Sequence, residues 1–356
     1  MKRISLKNAK ENMILARDVY SSNGTILLSE GQVINRFHIK KMSELGIDEI
    51  LVKDEFTDDM DTQELITKSV KQECFEVINN VLSNNIINKS AITEDIINIV
   101  NKIMNNLLSN KEVILNLIEI RGIGNYTYFH SLYTMIYSIL IGIKLEYNED
   151  NLLRLGIGSL LHDIGKIKIS KNIITKKGPL QDKEYEMIKL HTIMGFDILY
   201  NTYKFDQISC EIALLHHERL DGSGYPFGKT REEIPEIVKI ASIGDVFDAL
   251  TNDREYRKRL KPHIAIEYLL NSSTTHFDSY LVSKFVPYIS LFSIGTYVLL
   301  NSREKGIVIY NNVKFPSRPV VRIIYDSEGK KLTYRKDIDL SINYNYYILD
   351  IIENLE

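Results

Sequence analysis

Leu160-Leu161-His162-Asp163-Ile164-Gly165-Lys166 places an imidazole and a carboxylate late in an apolar, helix-like run. An ionisable Asp beside Leu160, Leu161 and Ile164 is costly unless its charge is compensated. Compensating groups stand on both sides along the chain. His130 precedes the pair, His191 and His216-His217 follow, and Asp245 closes the series, so that five of the eight histidines fall between residues 130 and 217. Imidazole nitrogen and carboxylate oxygen suit Zn, Mn or Fe. Seven such groups exceed one tetrahedral site and suit two adjacent metals sharing a bridging carboxylate. Neighbouring residues on a helix point about 100° apart, so His162 and Asp163 reach adjacent metals if the carboxylate bridges. Two metals about 3.5–4 Å apart clamp the attacking and leaving oxygens of an in-line phosphoryl displacement.

Each of these residues has a plainer reading when taken singly. His-Asp is commonly a cap or a surface pair, and His130 and His191 sit on apolar faces where a lone histidine is usually a satisfied core residue. Adjacent histidines such as His216-His217 are usually exposed. Asp245 breaks that pattern, because it stands inside Ile240-Ala241-Ser242-Ile243-Gly244-Asp245-Val246-Phe247, among apolar neighbours. The ordered set carries the metal reading, not any one member.

Working outward, residues 122–288 read as all-helical, with helices expected over Tyr126–Leu145, Asn151–Asp163, Gln181–Tyr200, Asp206–Leu215, Pro235–Leu250, Pro262–Asn271 and Tyr280–Phe292. The Gly- and Pro-rich stretch His217–Pro235 interrupts them as a loop. Residues 62–121 carry apolar stripes at helical spacing, Ile66, Val70, Phe75 and Ile78, then Ile96, Ile97, Val100, Ile103 and Met104. Such stripes are usually core faces, and a homodimer interface is the lesser reading. Residues 1–55 form a small mixed unit, in which β-type runs Met13–Tyr20 and Thr25–Ile34 flank Ser22-Asn23-Gly24, a helix covers Asn35–Leu45 up to Gly46, and Ile47–Lys53 returns as a strand. Residues 295–356 turn to β, with strands at Tyr297–Leu300, Gly306–Tyr310, Val320–Tyr325 and Tyr346–Ile352 around the turn Asp326–Gly329. The expected fold is mainly α: a central helical domain between a mixed α/β N-terminal unit and a β-barrel-like C-terminal unit.

Bulk properties narrow the function. The net charge of −3 provides no global basic field, which argues against a nucleic-acid polymer as partner. A phosphate-bearing substrate must then be held by metal or by local cations. Cys74 and Cys210 form no CxxC pair, which excludes zinc-finger and disulfide-scaffold readings and fits buried thiols in a reducing cytoplasm. No signal pattern is seen, and no apolar run approaches the roughly 20 residues of a membrane span.

The longer string His216-His217-Glu218-Arg219-Leu220-Asp221-Gly222-Ser223-Gly224-Tyr225-Pro226, placed between His191 and Asp245, resembles the HD-GYP family, the branch of the HD phosphohydrolases that hydrolyses cyclic di-GMP. The resemblance covers roughly 120–288. It implies that His130, His162, Asp163, His191, His216, His217 and Asp245 are metal ligands for two divalent ions, iron or manganese, with Asp163 as the bridge. It implies that Lys166 contacts the scissile phosphate, that Gly224, Tyr225 and Pro226 shape the substrate side, and that Arg254 and Arg257 meet substrate phosphates. The implied reaction is hydrolysis of cyclic di-GMP to a linear dinucleotide or GMP by a metal-bridging hydroxide. A cyclic-dinucleotide sensor with little catalysis, and a phosphohydrolase of another nucleotide, are the alternatives. Three positions depart from the family pattern. Tyr126 stands where some members place a third-metal glutamate, Glu255 replaces the usual proline of Arg-Pro-Tyr-Arg, and Lys229 follows Gly228 where an apolar residue is common.

Overall fold

The structure, a computed structural model, describes residues 1–21, 25–54, 56, 66–82, 89–110, 120–121, 127–176, 178–252, 259–312 and 314–352. The chain divides into two compact units. One is built from Met1–Glu64, Glu112–Gly124 and Pro287–Glu356, the other from Leu65–Lys111 and Asn125–Val286.

The helical unit contains α2 (Lys68–Leu82), α3 (Lys89–Ser109), α4 (Thr127–Lys144), α5 (Glu149–Leu160), α6 (Lys171–Ile174), α7 (Asp182–Lys189), α8 (His191–Asp197), α9 (Gln207–Leu215), α10 (Glu236–Thr251), α11 (Pro262–Asn271) and α12 (Ser279–Phe285). The signals that start these helices are local. Asn148 caps α5 by accepting from the Asn151 N–H at 2.9 Å, and Asp206 caps α9 through Ser209. Pro235 stands at the N-cap of α10, and Pro262 opens α11, where its missing N–H costs nothing. Helix α10 is buried on nearly every face, which makes it the central element. It packs on α4, and α4 packs on α5. The core closes around an edge-to-face cluster of Tyr137, Phe247 and Phe285, with ring centroids 5.0 to 5.6 Å apart.

The helix expected over Tyr280–Phe292 ends at Phe285, followed by a 3-10 turn at Val286–Tyr288, and two further expectations shift. The helix expected to run through His162-Asp163 ends at Leu160, and the pair lies in the turn before a 3-10 segment at Ile164–Lys168. The helix expected over Gln181–Tyr200 is broken at Leu190 into α7 and α8, followed by a π-turn at Ile198–Thr202. Both breaks fall beside the histidines, and Gly165 marks where the two segments meet. A Cβ there would fall on the His191 carbonyl oxygen and within 2.6 Å of the Gly195 nitrogen. Two backbones thus touch where only glycine permits it.

The other unit gathers both ends of the chain. Its N-terminal part has β1 (Lys2–Ser5) antiparallel to β4 (Glu49–Val52), α1 (Arg36–Glu44), and a small sheet of β3 (Ile26–Leu28), β2 (Val19–Tyr20) and β5 (Ile120–Arg121). Asn35 caps α1, and Gly46 takes φ +71 just past its end. The expected turn Ser22-Asn23-Gly24 lies outside the described residues. The runs flanking it form shorter strands than expected, with a single bridge between Ile14 and Val33 beyond them. The C-terminal part is a five-stranded antiparallel sheet in the order β10-β6-β7-β8-β9, formed by β6 (Tyr297–Leu300), β7 (Lys305–Tyr310), β8 (Val320–Tyr325), β9 (Lys331–Asp339) and β10 (Ile348–Ile351). Its long strand β9 is mostly exposed and charged, with few buried apolar positions to mark it in the sequence. No helix among the described residues is long and apolar enough to cross a membrane.

Candidate metal centre

Five segments of the helical unit deliver the seven residues. His130 projects from α4, His162 and Asp163 follow α5, His191 opens α8, His216 and His217 end α9, and Asp245 lies on α10. Their ligand-type atoms form two sets, each within 4.8 Å of one another: His130, His162 and Asp245 in one, Asp163, His191, His216 and His217 in the other. Asp163 also faces both sets. Its Oδ1 lies 3.3 Å from His191 Nε2, and its Oδ2 lies 3.5 Å from His162 Nε2 and 3.7 Å from His130 Nε2. Every member except His217 is buried, and His217 is half-buried.

The rings are oriented from behind. Nδ1 of His162 meets the Ser159 carbonyl at 2.8 Å, Nδ1 of His191 meets Ile188 at 2.6 Å, and Nδ1 of His216 meets Ala213 at 3.0 Å. A carbonyl only accepts, so each Nδ1 carries the proton and each Nε2 presents a lone pair to the centre. The His191 and His216 Nε2 atoms therefore face each other at 3.4 Å with no proton to share. Asp163 Oδ1, fully enclosed, accepts no hydrogen bond among the described residues. Lone pairs converging within each set, with an orphaned carboxylate oxygen, fit divalent cations and leave little else that could satisfy them.

Protonation follows the same logic. Burial pushes the His216 and His217 imidazoles well below the ordinary value, and neighbouring histidines push further, so both are neutral at pH 7. Burial raises the Asp163 carboxyl, but the Lys166 ammonium beside it outweighs burial and holds it well below the usual range. Asp245 is held low in the same way, chiefly by His130. His130 differs. Burial lowers it, yet hydrogen bonds to Asp245 and Asp248 carry it up to about 9.

The remaining expected residues fall as follows. Lys166 Nζ lies 2.5 Å from Asp163 Oδ2 and is part-exposed at the edge of the cluster. Tyr225 lies against His217 with ring centroids 4.6 Å apart, and burial pushes its phenol up. Gly224 passes so close to the Glu218 backbone that a Cβ would sit 2.6 Å from its carbonyl carbon. Pro226 continues the same loop. Arg254 and Arg257, like Tyr126, lie outside the described residues.

Two acids were not singled out by sequence reasoning. Asp248, fully buried, accepts from His130 Nδ1 at 2.9 Å and from Asn252 Nδ2 at 2.8 Å. Its signal was available: it stands one helical turn after Asp245, again among apolar neighbours. Glu218, also buried, accepts from the Phe227 N–H at 2.7 Å and the Lys229 N–H at 3.0 Å, and so ties down the Tyr225 loop. Only the loop's return path reveals that role.

Comparison with known proteins agrees with this geometry. The HD domain model matches residues 93–281, just over half of the chain, and a KOW domain associated with HD domains matches 297–356. The "Cyclic di-GMP phosphodiesterase PA4108" of Pseudomonas aeruginosa is 30% identical over 227 residues, 64% of this chain and 55% of that protein. A "Cyclic di-GMP phosphodiesterase" of Thermotoga maritima is 48% identical over 98 residues, 27% of each chain. The "3'3'-cGAMP-specific phosphodiesterase 3" of Vibrio cholerae is 34% identical over 153 residues, 43% of this chain and 33% of that one. The chain thus spans about half the length, or less, of these relatives. From the domain match, the buried His/Asp cluster and the Gly224-Tyr225-Pro226 string, the chain belongs to the HD domain family, in its HD-GYP branch.

Proposed function

We propose that this protein is a metal-dependent phosphodiesterase of cyclic dinucleotides, with cyclic di-GMP as the preferred substrate, acting in the cytoplasm. The observation that carries the reading is Asp163, whose two oxygens face two separate sets of histidines. Relatives whose names specify cyclic di-GMP and 3'3'-cGAMP support the substrate class. His130, His162 and Asp245 would hold one divalent ion, His191, His216 and His217 a second, and Asp163 would serve both. Iron or manganese suits such a mixed N/O shell. When bound, the ions would acidify a water toward neutral pH and offset charge on the phosphoryl oxygens.

The chain's own residues supply the rest. Lys166, held beside Asp163, offers an ammonium to a phosphoryl oxygen as negative charge builds on it. The Tyr225 loop, pinned by Glu218, covers the His217 side and fixes where the substrate lies. Arg254 and Arg257 would add cations for the substrate phosphates. The protons on Nδ1 of His162, His191 and His216 stay with their backbone carbonyls, so these rings serve as fixed ligands and not as acids.

The test is product analysis of metal-loaded protein with cyclic di-GMP and cyclic GMP-AMP, beside His162→Ala and Asp163→Ala. Linear dinucleotide or GMP from the parent protein alone is expected. Undiminished turnover by either variant refutes the assignment.

A further inference from the structure

Next to the metal centre stands an aromatic residue that the chemistry above leaves unused. Tyr185 on α7 has its ring 6.5 Å from that of Tyr225, edge to face, and Tyr225 in turn lies 4.6 Å from His217. Tyr185 therefore stands two ring contacts from the imidazole cluster. Tyr185 is 45% exposed, which leaves surface for a flat group beside the Lys189 contact. It is also held in place. Lys189 Nζ sits 4.8 Å from the Tyr185 centroid and 5.6 Å from the Tyr225 centroid, bridging the two rings, and Glu186 Oε1 fixes that ammonium at 2.7 Å. A cation shared by two aromatic faces restrains both. A lone exposed tyrosine needs no explanation. One restrained by a shared lysine, beside a ring that touches the metal ligands, is arranged to receive something.

We propose that Tyr185 is a stacking platform for one base of a cyclic dinucleotide whose phosphodiester lies at the His/Asp cluster, an inference that rests on the phosphodiesterase reading. Lys189 and Glu186 are positioning residues that set the ring's orientation. Base–aromatic stacking tolerates any base, since every base has a π-face. Tyr185 thus contributes affinity for cyclic dinucleotides as a class and does not select guanine over adenine.

The test is steady-state kinetics of the metal-loaded full chain with cyclic di-GMP and with cyclic GMP-AMP, for the parent, Tyr185→Ala and Tyr185→Phe, with metal content measured on each. Tyr185→Ala should raise KM about tenfold for both substrates, with kcat changed no more than about twofold, and Tyr185→Phe should stay near the parent. Unchanged KM in Tyr185→Ala overturns the platform. So does an equal loss in Tyr185→Phe, which would assign the effect to the hydroxyl, and so does a loss confined to one substrate. The parent protein separates the two claims. An active parent beside an unaffected Tyr185→Ala sinks the platform alone, whereas a parent that neither binds nor hydrolyses any cyclic dinucleotide sinks the phosphodiesterase reading beneath it.

Discussion

Asp248 Oδ2 lies 2.9 Å from His130 Nδ1, so a carboxylate backs this imidazole where backbone carbonyls back His162, His191 and His216. A carboxylate makes the ring a stronger donor and fixes its orientation. Asp248→Ala should weaken metal binding by about 10–100-fold, while Asp248→Asn, which can still accept, should lose less. Competitive titration of metal-free protein with a chelator measures it, and equal affinity in all three proteins would remove Asp248 from the centre.

His130 also makes metal binding depend on pH. In the metal-free protein its pKa is about 9, against an ordinary 6.5, so it holds an extra proton at neutral pH. A metal at His130 must displace that proton. Below pH 9, affinity should therefore fall about tenfold per pH unit on account of this group. The stability sign runs the other way. A folded pKa above the unfolded one adds stability that is fully present below about 6.5 and is lost as pH rises through about 9. Thermal melts of metal-free protein between pH 6.5 and 9 should show the decline, and metal-loaded protein should not share it.

Glu218 offers a test of the loop. Glu218→Ala strands the Phe227 and Lys229 N–H groups in a part-buried place, at a cost of about 1–3 kcal/mol. Urea unfolding reads that loss. Because the Tyr225 loop loosens, KM for cyclic di-GMP should rise more than kcat falls. A stable variant with unchanged KM would show that the loop holds itself.

Gly165 tests how the turn after α5 meets α8. Gly165→Ala must push the His162-Asp163 turn away from His191, because the new Cβ meets backbone and not a flexible side chain. Metal content and turnover should drop together, with circular dichroism still helical. Full metal occupancy in Gly165→Ala would mean that the turn can move without parting Asp163 from His191.

The sequence by itself determined the helix starts, the all-helical character of the central unit and the membership of the cluster. Caps, prolines and 3.6-residue spacing are local, and an acid such as Asp163 or Asp245 amid apolar residues demands a distant partner. It did not determine the breaks at Leu160 and Leu190, which flank a backbone contact at Gly165 that forms only when the two segments meet on folding. Strand β9 is not legible in the sequence because a mostly exposed strand leaves little hydrophobic alternation to read. The tertiary structure alone decided the division of labour within the cluster: which imidazoles are backed by carbonyls, that Asp248 stands behind His130, and that the two oxygens of Asp163 look toward different histidines. Ligand identity is written in residue type, whereas ligand orientation is set by hydrogen bonds between elements that meet only on folding.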